Sequence, residues 1–461
     1  MKRFFLISIL AAACCISCSN PQKGECSNEI IIQNTSVSSE IDLEYFKKAL
    51  LDVETTLYNS TDRIIEGKLC GTVNGKSFRR KVEINPGEEK TVLITSDKAR
   101  ALRIKKPHIW WCHNVGNPEM YTLELSFIAD RKLSGQKTLD FCIRKLDITT
   151  DEDGRKECIL NGKKVSLQDI VCHDMVSDPE TELEYAKDMN LNTIVVESAS
   201  KELYDLCDHK GFIVIEGSAT ECISPSEDEF TYFNYEDVRS AFEKQRLNSE
   251  WKSLVSPLHG TMEYWAVKKT YAPQQLIYNK DKNFVFAVND DKGEVGLTAK
   301  ILTYDQNGKL VSRTRSFVNM AEGVSKHLFR VPAIKTDLGF IFLSLEDENG
   351  NIVSRNEYCI SGDLSKREYR SALDKLARTE VAHTVARDGN SIKVKLENKG
   401  TSVAFFIEAE LKTAEGEITV PTLWNDNFVT LAPGETRTLT CHSTENIPEN
   451  AIVTVSGLNT L

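Results

Sequence analysis

The chain has 461 residues, of which 41% are hydrophobic and 27% are charged, and its formal net charge is −11. This composition is ordinary for a globular protein and excludes extensive disorder. The acidic balance argues against a nucleic-acid partner, because phosphate contacts require clustered Lys and Arg. The length predicts three or four domains, at roughly 100–150 residues each.

The N-terminus predicts a lipoprotein signal peptide over residues 1–18. Its basic start, Met1-Lys2-Arg3, precedes an uncharged apolar run at 4–16 that is too short to cross a membrane. Cys18 follows a small serine and precedes a polar stretch, which favours it over the two earlier cysteines as the lipidated residue. We therefore expect a lipid anchor in the membrane of a bacterial cell envelope, in the periplasm or at the cell surface. The alternative is a plain cleaved signal.

The remaining cysteines do not show the spacing of a disulfide framework. Of the 13 cysteines, ten come after Cys18, and they form no CxxC pair and no regular spacing. Scattered buried thiols are a better interpretation than a disulfide scaffold, which is typical of small secreted domains. Neither the cysteines nor the histidines show the close spacing of a zinc site, so we expect no metal and no cofactor.

An internal near-repeat runs through the chain. Residues 84–94 resemble residues 431–441, and each segment places a Pro-Gly turn before a strand with alternating apolar positions. Upstream, residues 57–61 resemble residues 396–400 as a strand end followed by a polar turn, and residues 286–292 supply a third copy. The repeat predicts domains of one kind.

Short alternating strands separated by turn residues are typical of β-sandwiches. The Asn-Gly pairs at 307–308 and 349–350 predict hairpin turns, since asparagine and glycine accept positive φ at low cost. We predict three immunoglobulin-like β-sandwiches at 24–147, 258–362 and 375–461. A linker or short helix at 363–378 separates the last two.

Residues 148–257 show a different pattern. Acidic residues after Asp178-Pro179 predict the start of a helix, and buried strands follow at 192–197 and 212–216 with a helix at 201–209 between them. Near-continuous apolar strands joined by a helix indicate a parallel βαβ unit. A further helix is predicted at 235–254. Two strands do not make a closed barrel of eight units, which needs about 250 residues.

Several motifs in order along the chain carry a family resemblance. They are residues 107–116 with the Trp110-Trp111 pair, the Asn161-Gly162-Lys163 stretch, and residues 188–194, 204–214, 264–269, 354–358 and 424–428. In this order they resemble glycoside hydrolase family 2, of the exo-β-D-glucosaminidase and β-mannosidase type. The resemblance implies a mainly β, multidomain fold with three immunoglobulin-like sandwiches, in which 148–257 is a partial TIM-barrel remnant. It also implies carbohydrate metabolism through retaining hydrolysis of O-glycosyl bonds.

The sequence offers no clear catalytic pair. A retaining glycosidase needs two carboxyl groups about 5 Å apart, and the family places them on late barrel strands that have no counterpart here. Glu197 and Glu216 are weak catalytic candidates, because they end the two predicted parallel strands, where such folds carry function. Glu197 also matches a position that lines the sugar pocket in the family. The alternative for both is a helix cap or a salt bridge, and the role of Glu221 stays open.

A second set of candidates is predicted to bind substrate. Trp424, Asp426 and Asn427, together with Glu197, are candidates for a sugar-facing site, since an aromatic face suits the C–H face of a pyranose. Trp110 and Asp208 are better interpreted as packing and loop-holding residues, and His173 as structural. We expect a family 2-like envelope lipoprotein that binds glycans of the β-linked glucosamine or mannose type, with impaired or absent hydrolysis. The alternative is a non-catalytic lipoprotein that binds glycans or proteins.

Overall fold

The computed structural model describes residues 26–150, 156–171, 178–216, 255–256, 259–260, 264–265, 268–269, 271–280, 282–290, 293–361, 364–417, 422–443 and 446–461. The predicted signal peptide with Cys18, His173, Glu221 and the predicted helix at 235–254 lie outside the described residues. Within the described part, no helix is both long and apolar enough to cross a bilayer.

The first of two compact units contains the described residues up to Ser166 together with Tyr204–Gly211. It begins with two four-stranded antiparallel sheets, one pairing β1, β2, β5 and β6 and the other ordered β4-β3-β7-β8. The strands are β1 (Ile30–Ile41), β2 (Lys48–Asn59), β3 (Ile65–Val73), β4 (Lys76–Ile84), β5 (Glu89–Ile94), β6 (Arg103–Lys105), β7 (Met120–Ala129) and β8 (Lys132–Cys142), and a single 3-10 turn (Arg100–Leu102) precedes β6. In β2, Leu51, Val53 and Leu57 alternate with more exposed residues and enter a core shared by both sheets.

A small antiparallel sheet follows the first sandwich within the same unit. It has the order β11-β10-β9 and is built from β9 (Leu146–Thr150), β10 (Lys156–Leu160) and β11 (Lys163–Val165). Asn161 and Gly162 form its tight turn with φ of 52° and 79°. The Asn161 amide also donates to the backbone oxygen of Trp110 at 2.8 Å. Residues 146–165 are therefore an antiparallel meander that precedes the parallel strands of the predicted α/β region.

The second unit contains the described parts of Leu167–Leu203 and Phe212–Leu461, and it opens with a parallel sheet of order β12-β13-β14. Its elements are β12 (Asp169–Val171), α1 (Pro179–Asp188), β13 (Thr193–Val196), α2 (Lys201–Lys210), whose residues from Tyr204 onward belong to the first unit, and β14 (Ile213–Glu216). Asp178 caps α1 by accepting the backbone N–H of Thr181. The predicted parallel βαβ unit is present, and β12 adds a third strand that was not predicted.

The second sandwich of the chain lies in this unit. After a short hairpin of β15 (Val255–Ser256) and β16 (His259–Gly260), its strands are β17 (Gln274–Asn279), β18 (Phe284–Asn289), β19 (Val295–Asp305), β20 (Leu310–Met320), β21 (Val324–Arg330), β22 (Leu338–Glu346) and β23 (Ile352–Ser361). They form two antiparallel sheets ordered β17-β18-β21 and β20-β19-β22-β23. Apolar residues of both sheets, among them Leu276, Val285 and Ile341, share one core.

The third sandwich follows α3 (Lys366–Asp374), which begins with a capping box between Ser365 and Glu368. Its strands are β24 (Val381–Asp388), β25 (Ser391–Asn398), β26 (Ala404–Lys412), β27 (Leu423–Trp424), β28 (Val429–Leu431), β29 (Thr436–His442) and β30 (Ile452–Ser456), in sheets ordered β24-β25-β29-β27 and β28-β26-β30. The predicted fold class, mainly β with immunoglobulin-like sandwiches and a reduced α/β part, is confirmed. The exact domain boundaries stay a prediction.

The three copies of the internal repeat share a buried asparagine that makes the same hydrogen bond. Asn59, Asn289 and Asn398 each end a strand and are fully buried at 0% exposure. In every copy the backbone oxygen of the asparagine accepts the N–H of a turn glycine, at 3.0, 2.8 and 3.0 Å from Gly87, Gly323 and Gly434 respectively. The turn glycine, which follows proline at 87 and 434 and glutamate at 323, is thus hydrogen-bonded to the preceding strand end.

The side-chain amide of the asparagine makes further hydrogen bonds. Nδ2 of Asn398 donates to the backbone oxygens of Ser402 at 2.8 Å and of Leu431 and Ala432 at 3.1 Å. Oδ1 of the same residue accepts from Thr379. Asn59 donates in the same manner to three backbone oxygens of the first sandwich. The three oxygens that Asn398 bonds are buried, so its amide supplies donors that water cannot readily replace.

Candidate functional site

The two predicted catalytic candidates lie at one edge of the parallel sheet. Val196 of β13 is paired with Glu216 of β14, and Glu197 follows Val196 directly, so both carboxylates emerge at the carboxyl ends of neighbouring strands. This placement agrees with the sequence prediction. Both side chains are exposed. Oε1 of Glu216 accepts the backbone N–H of Ala199 at 2.8 Å, which ties this carboxylate to the loop after β13.

This edge is a poor match for a retaining active site. Such a site places two carboxyl groups on either side of the glycosidic bond, and the general acid is commonly buried so that its pKa is raised. Glu197 and Glu216 are instead open to solvent, and one of them already holds a backbone N–H. The arrangement suits hydrogen bonds to sugar hydroxyls better than proton transfer. Their catalytic and substrate-binding roles stay predictions.

The second unit also contains a cleft of about 640 Å³, which we call the junction cleft. Residues from the end of α1, the segment before β17, strand β23 and the third sandwich line it. They are Lys187, Asp188, Asn190, Trp265, Lys268, Lys269, Ala272, Pro273, 352–356, Asn425, Asp426 and 436–438. Charged side chains are prominent in this lining, so their pairing determines what the cleft can bind.

One ion pair joins α1 to the segment before β17. Nζ of Lys268 lies 2.6 Å from Oδ2 of Asp188 and donates to the backbone oxygen of Trp424 at 3.0 Å. The Tyr264 hydroxyl donates to the same carboxylate. Burial, together with the Asp188 charge, raises the pKa of Tyr264, so this phenol remains a neutral donor. Lys268 also lies 4.8 Å from the ring centroid of Trp265, within range of a cation–π contact.

A second network joins the two C-terminal sandwiches through Glu357. Its carboxylate accepts from Arg437 at 2.6 Å and from Lys269 at 3.1 Å, and its side chain is 8% exposed. Arg437, 6% exposed, also pairs with Asp426, which lies 3.9 Å from Lys269. Burial alone would raise the pKa of Glu357, but the charges of Arg437 and Lys269 outweigh it and lower this pKa to about 2. Two cations and two anions therefore neutralise one another.

The predicted sugar-facing residues have structural partners. Trp424 is 7% exposed and Asn427 is 6% exposed. Asn427 bonds Ala409 in both directions, donating to its oxygen at 2.9 Å and accepting its N–H at 2.8 Å. Asp426 is paired with Arg437. The local backbone and the ion-pair network use these polar groups, and the predicted sugar-facing role of these residues stays a prediction.

Trp110 and Asp208 lie together in the first unit. Nε1 of Trp110, at 0% exposure, donates to the backbone oxygen of Asp208 at 2.7 Å, and the Asp208 carboxylate is 2.6 Å from Arg144. The Arg144 guanidinium lies 4.4 Å from the Trp110 ring centroid. This geometry agrees with packing for Trp110 and with a loop-holding role for Asp208.

Several important residues had no predicted role. Glu357 and Lys269 fall within stretches that carried the family resemblance, but nothing in the local pattern indicated that they pair. The Lys268-Lys269 doublet is the one local feature of the sequence that indicates this ion-pair network. Half-buried lysines beside aromatic residues need anionic neighbours. Among the described residues, no group of three or more His, Cys, Asp or Glu could hold a metal ion.

Comparison with known proteins identifies two family models that match separate parts of the sequence. A model described as Glycosyl hydrolases family 2 matches residues 30–144, and one described as Exo-beta-D-glucosaminidase Ig-fold domain matches residues 363–460. An exo-β-D-glucosaminidase of Streptomyces avermitilis is 28% identical over 251 residues, which cover 50% of this chain and 27% of that protein. The match thus spans about a quarter of that relative's length.

Solved structures share the fold. The exo-chitosanase CsxA of Amycolatopsis orientalis superposes with a TM-score of 0.75 at 17% identity, over 94% of this chain and 79% of that one. A β-D-mannosidase of Dictyoglomus thermophilum gives 0.67 at 12% identity, over 94% and 77%. The family models match the first and third sandwiches, and the structural similarity extends over nearly the whole chain. By these matches the first sandwich is similar to glycoside hydrolase family 2 and the third sandwich to the Ig-fold domain of exo-β-D-glucosaminidases.

Proposed function

We propose that this protein binds carbohydrate as a family 2 member in which hydrolysis of O-glycosyl bonds is impaired or lost. The observation that carries the proposal is the carboxyl edge of the parallel sheet. In the described residues this edge presents Glu197 and Glu216 in the open, with Glu216 bound to the Ala199 N–H. An acid and a nucleophile set across a glycosidic bond need more enclosure than this.

The length of the internal α/β segment supports the same proposal. Between the end of β11 at Val165 and the start of β17 at Gln274, the chain has fewer than half of the roughly 250 residues that an eight-stranded barrel uses. Sandwiches flank this segment on both sides, so its length does not depend on where the chain begins or ends. A segment this short has room for only part of a barrel.

The ligand class is proposed from the relatives. The related proteins are named as exo-β-D-glucosaminidases, and a structural neighbour as a β-D-mannosidase. Glycans with β-linked glucosamine are therefore the first ligands to test, and β-linked mannose the second. Exposed carboxylates such as Glu197 suit an amino sugar, whose ammonium group is a cation at neutral pH.

The test combines turnover and binding on the same protein. Nitrophenyl β-D-glucosaminide and β-D-mannoside report hydrolysis, and calorimetry with glucosamine and mannose oligosaccharides reports binding. The variants are Glu197→Gln and Glu216→Gln, with the exposed Glu54→Gln on β2 as a matched control. We expect binding without turnover above the buffer rate, and weaker binding in Glu197→Gln. Turnover that Glu216→Gln abolishes and Glu54→Gln preserves would overturn the proposal.

We further propose that the protein is anchored by a lipid on Cys18 in a bacterial cell envelope. The basic start and the apolar run before Cys18 support this proposal. The test is metabolic labelling with a clickable fatty acid, comparing the unmodified chain with Cys18→Ser. Label on the unmodified chain that is lost in Cys18→Ser is expected, whereas equal labelling of both would contradict it.

A further inference from the structure

The outer face of the sheet β17-β18-β21 carries a cluster of aromatic side chains, which we call the aromatic platform. Its rings are Phe284, Phe286 and His327, with Ile277 beside them. Alternation along β18 sends Val285 and Ala287 into the sandwich core and the two phenylalanines outward, where both are half-buried.

Strand register brings the rings together. Phe286 of β18 is paired with Ile277 on one side and His327 on the other, across a β-bulge in β21. The Phe286 and His327 centroids are 4.3 Å apart, and Phe284 lies 5.6 Å from His327 and 6.5 Å from Phe286. The rings therefore form one continuous apolar surface. Because Phe284 and Phe286 follow one strand, they can meet successive units of an extended ligand.

Cations surround this surface. Nζ of Lys282 lies 5.7 Å from the Phe286 centroid, and Arg330 is paired with Phe284 across the strands. Neither side chain forms an ion pair with any residue that the structure describes, and His327 is exposed beside them. The chain as a whole carries a net charge of −11, whereas this face groups Lys282 and Arg330 beside the rings.

This combination selects one kind of ligand. Aromatic faces attract the apolar C–H face of a β-linked pyranose, and a guanidinium or ammonium group binds a carboxylate by charge-assisted hydrogen bonds. A cationic glycan would be repelled by Lys282 and Arg330, and a neutral one would leave their charges unused. We propose that the aromatic platform binds an acidic, β-linked glycan whose sugars carry carboxylate groups. This surface is additional to the proposed glycan site at Glu197 and Glu216.

The experiment compares three glycans of different charge. Calorimetry would use β-linked oligomannuronate as the acidic probe, cello-oligosaccharide as the neutral probe and glucosamine oligosaccharide as the cationic probe. Phe286→Ala and Arg330→Gln test the rings and the charge. Phe317→Ala is the matched control, since Phe317 is 71% exposed on the other sheet of the same sandwich. Circular dichroism would verify that each variant is folded.

We expect oligomannuronate to bind, with affinity at least tenfold weaker in both Phe286→Ala and Arg330→Gln and unchanged in Phe317→Ala. Affinity should fall as salt is added, and less steeply in Arg330→Gln. The proposal is overturned if the acidic probe does not bind, if Arg330→Gln binds it as tightly as the unmodified chain, or if the neutral probe binds equally well. Glucosamine binding that depends on Glu197 but not on Phe286 belongs to the other site, so the two proposals fail independently.

Discussion

Removing the negative charge of Glu357 tests how far its ion-pair network stabilises the second unit. Glu357→Gln keeps the size and shape of the side chain but removes the charge that Arg437 and Lys269 share. Both the glutamate and the arginine are nearly inaccessible to water, with 8% and 6% of their side chains exposed. The variant therefore leaves excess positive charge in a site that solvent cannot easily screen.

The magnitude can be worked out in two ways. Breaking a buried ion pair by removing one partner costs about 3–5 kcal/mol. Asp426 still neutralises part of Arg437, and Lys269 is 16% exposed, which favours the lower end of that range. Independently, lowering the Glu357 pKa from 4.5 to about 2 corresponds to roughly 3 kcal/mol. We expect Glu357→Gln to destabilise the second unit by about 3 kcal/mol.

Urea unfolding followed by tryptophan fluorescence would measure this loss, since Trp265 lines the junction cleft and Trp424 lies beside it. Glu348→Gln, an exposed glutamate of the same unit, is the control and should change stability by less than about 0.5 kcal/mol. The double variant Glu357→Leu with Arg437→Met should recover part of the loss, because it removes both charges. A loss below about 1 kcal/mol in Glu357→Gln would refute the reasoning, since it would mean that solvent screens the pair.

Three further predictions follow from the same structure. Because the pKa of Glu357 is depressed in the folded state, its ionised carboxylate contributes fully to the free energy of unfolding above about pH 4.5, and this contribution is lost as the pH falls toward 2. Between these pH values, the urea midpoint of the unmodified chain should therefore fall more steeply than that of Glu357→Gln. Asn398→Ala should lower stability by about 3 kcal/mol in thermal unfolding, because three backbone oxygens lose their donor, and Thr379→Val by less, since it removes one hydrogen bond. Burial raises the pKa of Cys158 to about 11 and of Cys441 to about 12, so both thiols should resist alkylation at pH 8 and react once urea unfolds the chain.

The sandwiches could be predicted from sequence because their signals are local. Alternation along strands such as β25 and the Pro-Gly turns repeat in a form that a single sequence reveals. The repeated asparagine was visible as a pattern, but its buried amide was not, since its partners lie up to 34 residues away. Strand β12 was missed because three residues are too few for a periodic signal.

The site was harder to predict for a related reason. Glu357 meets Lys269 and Arg437 across 88 and 80 residues of chain, so no local spacing could indicate the network. Asn427 was predicted to face a sugar because it follows Trp424, whose ring suits the face of a pyranose, in a Trp-Asn-Asp-Asn sequence. The same composition also suits an asparagine that bonds backbone, as Asn427 does with Ala409. By contrast, Glu197 and Glu216 were placed correctly at the sheet edge, because strand ends fix them.

A covalent trap separates a binding protein from a hydrolase in one measurement. A fluorinated β-glycosyl fluoride of glucosamine or mannose accumulates as a glycosyl-enzyme ester on the nucleophile of a retaining glycosidase, and intact mass spectrometry detects it. We predict no mass increase after prolonged incubation, while calorimetry on the same sample shows sugar binding. A stoichiometric adduct that peptide mapping places on Glu197 or Glu216 would contradict the loss of hydrolysis proposed for this chain.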